Sequence, residues 1–175
     1  MAYMKLPPII IEGAEIVEEY GKNFSGRVDE MNPHGFKSFL LKINDPELGQ
    51  RLAADGWNIK HHTPRDGADG DEYDYLKVNI NYNNPRYVPT IIWVKPNAQI
   101  LMNDSNIGLL DSETFKTIDI EVVSKHWERM KESGFSAYVK TMYVVTEPKP
   151  FANKYGEPQR YDGPAVNEDL PFDVN

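Results

Sequence analysis

The chain of 175 residues has no cysteine. This excludes a disulfide framework, a thiolate metal site and a thiol nucleophile, and it suits a reducing compartment, so a cytoplasmic location is expected. No apolar run approaches the roughly 20 residues of a membrane-spanning helix. Leu6–Ile11 is the longest such region near the start, and the charged, apolar and small-residue zones of a secretory signal are missing. No membrane partner is therefore expected.

Signatures of catalysis are equally scarce. Neither GxSxG nor HExxH occurs, and Gly21-Lys22 is followed by Asn23 rather than the Ser or Thr of a phosphate-binding loop. His61 and His62 are adjacent, so an extended strand sends them to opposite faces, and His34 and His126 are distant in sequence. The acidic run Asp66, Asp69, Asp71, Glu72 and Asp74 does not fit a calcium loop, because Ala68, Gly70 or Tyr73 falls where an oxygen ligand is required. Glu18-Glu19 has nothing nearby to distinguish it from solvated charge. No catalytic residue, metal or cofactor is expected, and an enzyme with a hidden carboxylate site is the weakest of three readings.

Positive charge is also in short supply. There are 19 Lys and Arg against 27 Asp and Glu, for a net charge of −8, which argues against a uniformly basic reader of duplex DNA. The deficit is unevenly placed. Asp162, Glu168, Asp169 and Asp173 lie in the last 14 residues with no Lys or Arg, so half of the excess belongs to that segment.

What the chain does have is ten tyrosines, three tryptophans and thirteen prolines, a composition that favours strands and turns. Met1–Gly13 reads as an extended arm, free to pair as an edge strand within or between subunits, and only the second would give a homo-oligomer. Phe24–Asp29 and Phe36–Ile43 read as strands around a turn at Asn32-Pro33-His34-Gly35. Asp45 and Pro46 open a short helix with Leu48, Leu52 and Ala53 inward and Gly56 ending it. Further strands are expected over Trp57–His61, Tyr75–Tyr82, Thr90–Lys95, Gln99–Met102, Ile118–Lys125 and Phe135–Glu147, with Asn103–Thr114 turn-like and a charged link over His126–Gly134. After Glu147, five prolines and few aliphatics leave little with which to build a core. Six to eight strands with one or two short helices make an all-β chain with minor α, either a small barrel or a sandwich. Its parts are an arm (1–13), a domain (14–147) and a flexible acidic tail (148–175).

Alternation divides the strands into faces. Leu76, Val78, Ile80 and Tyr82 share one side, leaving Tyr75, Lys77, Asn79 and Asn81 on the other. Phe135, Ala137, Val139, Tyr143 and Val145 read as core, opposite Tyr138, Lys140 and Met142. Ile92 and Val94 read as inward, opposite Ile91, Trp93 and Lys95. Three strands thus set an aromatic ring two residues from a lysine: Tyr75/Lys77, Trp93/Lys95 and Tyr138/Lys140. Bases of a single strand stack on such rings while lysines neutralise its phosphates. Arg86, Tyr87, Lys60 and His62 extend the same surface. For each pair alone, an edge strand with a solvated lysine is the plainer explanation.

The tail ends on Asn167-Glu168-Asp169-Leu170-Pro171-Phe172, acids before an apolar tip, which suits a short linear ligand for a partner protein. Glu168, Asp169, Leu170, Pro171 and Phe172 resemble the acidic tip of bacterial single-stranded DNA-binding proteins. The body resembles phage-encoded single-stranded DNA-binding proteins of the OB fold through Asn23-Phe24-Ser25-Gly26-Arg27-Val28-Asp29, Asp55-Gly56-Trp57-Asn58-Ile59-Lys60 and Ser136-Ala137-Tyr138-Val139-Lys140-Thr141-Met142-Tyr143. The resemblance implies an OB-like five-stranded barrel with extra strands, non-catalytic work in DNA replication, recombination or repair, and recruitment of partner enzymes by the tail. Asp173, Val174 and Asn175 follow Phe172, whereas the bacterial tip ends at Phe with a free carboxylate. A tail of this charge is also expected to compete with phosphates for the basic surface. The rival reading is a β-sandwich module for protein–protein contact or phage assembly, its exposed aromatics forming an interface.

Overall fold

A computed structural model describes residues 5–18, 20–65, 70–149, 151 and 155. Nine strands occur among them: β1 (Ile9–Ile16), β2 (Lys22–Asn23), β3 (Lys37–Ile43), β4 (Lys60–His62), β5 (Tyr73–Ile80), β6 (Thr90–Lys95), β7 (Ala98–Leu101), β8 (Phe115–Arg129) and β9 (Glu132–Thr146). One helix, α1 (Pro46–Asp55), and a 3₁₀ turn over Ile107–Ser112 complete the set.

Five strands close into a ring in the order β1, β3, β5, β9, β8 and back to β1. Every contact in it is antiparallel except the closing one, β5 with β9, which is parallel. A single closed sheet of this kind is an OB-fold-like, all-β barrel; the sandwich alternative, which needs two packed sheets, is not what forms. β6 and β7 extend the sheet from the second half of β9, β4 lies on the edge of β5, and β2 pairs with β3. The segment expected to be a separate arm contributes Ile9–Gly13 to β1, because Ile9 is buried and Ile9, Ile10 and Ile11 pair with Val122, Glu121 and Ile120.

The core follows from alternation where alternation is clean. Phe39, Leu41 and Ile43 of β3 meet Leu76, Val78 and Ile80 of β5 and Ile118, Ile120 and Val122 of β8. Phe24 stacks on Phe39 with ring centroids 5.4 Å apart and joins buried Ile107 and Leu110. The Asp111 carboxylate accepts from Phe24 N (2.7 Å), Ser25 N (3.0 Å) and Ser25 Oγ (2.6 Å), which fixes that aromatic plug. α1 forms where Asp45 caps it, accepting from Glu47 N, and stops at Gly56, whose φ of 117° suits glycine. Leu52 is buried and Leu48 packs beside it, whereas Ala53 is exposed and Gly49 takes the inner position against Asp74.

Three further expectations fail, each for a local reason. Phe24–Asp29 is a loop, because Asn23, Asp29 and Asn32 side chains take up backbone groups; Asn32 alone donates to Arg27 O and Phe36 O and accepts from Phe36 N. The charged link over His126–Gly134 is strand on both sides, paired from Trp127↔Gly134 out to Arg129↔Glu132. In β9, Lys140 is an extra residue between Val122↔Val139 and Glu121↔Thr141. That bulge flips the faces beyond it, so Met142 and Val144 are core while Tyr143 and Val145 turn outward.

The bulge makes a stability prediction. Met142→Ala should cost about 2–5 kcal/mol as a fully buried truncation, and Tyr143→Ala about 1 kcal/mol or less. Urea unfolding checks this, and the reverse order would put the register of β9 in error.

Candidate nucleic-acid interface

The exterior of β5 carries Tyr73, Tyr75, Lys77 and Asn79, since Leu76, Val78 and Ile80 are turned into the core. Pairing brings three other strands alongside. Lys42 and Lys60 both lie opposite Tyr75, one from β3 and one from β4. His62 lies opposite Tyr73 and stacks on it, with centroids 4.8 Å apart at 26°. The parallel seam sets Tyr138 opposite Asn79, and β8 places Val123 on the other side of Tyr138. One residue pair further out on the same face is Lys125, whose ammonium is 6.0 Å from the Tyr138 ring. Trp127 follows, 40% exposed, with its indole across Gly134.

The result is one exterior face on which Tyr73, Tyr75, Tyr138 and Trp127 alternate with Lys42, Lys60, Lys77 and Lys125. The cations matter because of what they do not touch. Among the described residues these four lysines make no ion pair. Four lysines elsewhere are committed: Lys22 to Glu18 at 2.7 Å, Lys37 to Asp104, Lys140 to Glu121 at 3.4 Å and Lys149 to Glu113 at 3.1 Å. Aromatic faces with uncommitted lysines bind stacked bases and phosphates without reading sequence.

At the Tyr73 end the face runs into a groove of about 610 Å³ lined by Tyr20, Lys42, His62, Arg65, Tyr73 and Lys116. Tyr20 and Tyr73 share a hydrogen bond between their hydroxyls at 2.7 Å, and the Lys42 ammonium stands 4.9 Å from the Tyr73 ring. Glu15, Glu18 and Asp71 also line it, so the groove is mixed in charge where the open face is basic. His61 turns away from Lys60 and bonds Asp74 at 2.8 Å; that hydrogen bond raises the imidazole pKa above its usual value.

The residues expected from sequence therefore divide. Lys60, Tyr75, Lys77 and Tyr138 are brought together. Arg86 and Tyr87 sit in the loop between β5 and β6, Tyr87 72% exposed, just past the Asn79 end. Lys140 is exposed at the bulge but paired with Glu121. Trp93 is a correction. It is only 3% exposed, packs with buried Ile91, and donates from Nε1 to Thr146 Oγ1 at 3.0 Å. Four consecutive apolar residues, Ile91 to Val94, gave alternation no way to choose a face. Lys95 follows Trp93 to that side, its ammonium 4.3 Å from the indole. Glu168, Asp169, Leu170, Pro171 and Phe172 lie outside the described residues. Sequence reasoning missed Lys42, Tyr73, Lys125 and Trp127. The alternation of Lys125, Trp127 and Arg129 was a legible signal for the last two.

A family model described as "Putative phage ssDNA-binding domain" matches residues 1–174. The chain belongs to this family. No curated protein matches it at a significant level. Membership in a single-stranded DNA-binding family fits a barrel with an aromatic, cationic exterior, and among the described residues no helix is long and apolar enough to cross a membrane.

Trp93 and Tyr75 separate core from interface. Trp93→Ala should lower stability by about 3–5 kcal/mol. Tyr75→Ala should leave stability nearly intact and weaken binding of oligo-dT by roughly 1–3 kcal/mol. Urea unfolding and fluorescence titration of the two variants decide it; loss of binding in a stably folded Trp93→Ala protein would contradict the assignment.

Proposed function

We propose that the chain is a non-catalytic, largely sequence-independent single-stranded DNA-binding protein, phage-encoded and acting in the host cytoplasm during DNA replication, recombination or repair. The observation that carries this reading is the alternation of Tyr73, Tyr75, Tyr138 and Trp127 with four lysines that have no carboxylate partner. Ring faces accept any base and lysines accept any phosphate, so affinity comes with little readout. Lys60, Lys77 and Lys125 are the primary phosphate contacts, and Arg86 with Tyr87 extends the path past Asn79. Lys95 and Lys140, expected in the groove from sequence, play a lesser part because each already faces a neighbour, Trp93 and Glu121.

The tail has a separate role in this account. The four acids of its last 14 residues compete with phosphates for the same lysines, and bound DNA releases Glu168–Phe172 to recruit replication or recombination enzymes. The support for this is the sequence alone: acids with no Lys or Arg over residues 162–175, around the apolar Leu170-Pro171-Phe172.

Quenching of tryptophan fluorescence by oligo-dT over a range of salt tests both parts. Neutralisation of four phosphates gives a log–log slope of about −3, and Lys77→Ala should reduce its magnitude by about 0.7. No saturable, salt-sensitive binding to single strands, or preference for duplex, overturns the function. A chain ending at Tyr161 should bind more tightly at low salt; unchanged affinity and slope would exclude the competition.

A further inference from the structure

The β8–β9 hairpin runs on past the barrel that roots it. From Lys125↔Ser136 to Arg129↔Glu132 its strands pair only with each other among the described residues. At about 3.4 Å per residue, this free ribbon is roughly 17 Å long. Its root is braced. Leu6 N donates to Ser124 Oγ at 2.9 Å, Phe135 packs against His126 with centroids 5.2 Å apart, and the Phe135 ring lies beside Gly56. On the other side Trp127 covers Gly134 so closely that an added Cβ would meet the indole at 2.8 Å. A bare two-stranded ribbon is marginal in water; packing at the root and over Gly134 stiffens this one.

Its tip breaks a local rule. Two residues, Met130 and Lys131, close the hairpin, a geometry that favours Gly, Asn or Asp where φ is positive. Met130 occupies that position at φ 55°, a conformational cost that glycine would not incur. Its side chain is fully exposed, at 102%, so the fold gains nothing in return. Arg129 and Lys131 flank it, with Glu128 and Glu132 behind them. A large, soft, apolar side chain between two cations, on the end of a stiff ribbon, fits the open face of a terminal base pair with a phosphate chain on either side.

We propose that the ribbon tip is a pin for junctions between single-stranded and duplex DNA. The single strand lies along Tyr75, Tyr138 and Trp127, Met130 caps the last base pair, and Arg129 and Lys131 meet the two diverging backbones. This rests on the single-strand function proposed above. Continuity of Lys125 and Trp127 with the Tyr138 face favours nucleic acid over a protein at the tip.

Fluorescence anisotropy should compare three labelled probes: a dT tail, the same tail on a duplex stem, and the blunt stem. 2-Aminopurine in the stem's terminal pair reports unstacking. The tailed stem should bind roughly two- to tenfold more tightly than the tail alone, and 2-aminopurine should brighten. Met130→Gly, which suits the turn, should keep its thermal stability and its affinity for the tail but lose the preference; Met130→Leu should retain it. Equal wild-type affinity for tail and tailed stem overturns the pin, as does a preference that survives Met130→Gly. Tightest binding to the blunt stem would seat the ribbon in a duplex groove and also overturns it. If the wild-type protein does not bind the tail at all, the single-strand function fails first and the pin falls with it.

Discussion

Closure of the barrel depends on a seam two residue pairs long, Val78↔Ala137 and Asn79↔Tyr138. Parallel pairing is slightly weaker per residue than antiparallel pairing, and here Asn79 adds a side-chain bond from Nδ2 to Ala137 O at 3.1 Å. The rest of the geometry follows from where this contact begins and ends. Before it, β9 is free of β5 and runs with β8 as the ribbon, with α1, Gly56 and Leu6 against its root. After it, β9 takes β6 as its parallel neighbour from Thr90↔Thr141 onward. Because Tyr138 lies within the seam, it joins the row of Tyr75 and Lys77, and the hairpin face with Lys125 and Trp127 becomes an extension of β5.

Charge then acts locally. A net charge of −8 sets the far field, but a bound strand responds to groups within about a Debye length, roughly 8–10 Å in physiological salt. Lys42, Lys60, Lys77 and Lys125 stand on one face without carboxylate partners, while Lys22, Lys37, Lys140 and Lys149 are each neutralised nearby. An acidic protein of this kind can still present a locally cationic face to a bound strand. Overall acidity and single-strand binding are therefore compatible, and the distribution of paired and unpaired lysines decides between them.

Sequence patterns exposed much of this and concealed the rest for identifiable reasons. Asp45-Pro46 and Gly56 announce α1 because caps are local chemistry. Leu76, Val78 and Ile80 announce the inner face of β5 because the alternation is unbroken, so Tyr75 and Lys77 were legible. Trp93 was not, because Ile91 to Val94 are apolar throughout and burial of one parity was settled by pairing with Met142 and Val144. Met142 and Tyr143 exchanged faces because a bulge at Lys140 has no sequence mark. Lys42 was visible beside the Phe39–Leu41–Ile43 alternation, but its role needed the register that sets it against Tyr75. Trp127 was hidden among charges that read as a link, although those charges are what solvate a free ribbon.

Ultraviolet crosslinking of oligo-dT followed by peptide mapping tests the central claim most directly, because it locates the strand without any substitution. The account predicts adducts on peptides carrying Tyr73 and Tyr75, Tyr138 and Trp127. It predicts none on the separate exterior row of Tyr143, Ile92 and Leu101. Adducts concentrated at Tyr143 and its neighbours, with Tyr75 and Tyr138 unmodified, would contradict it.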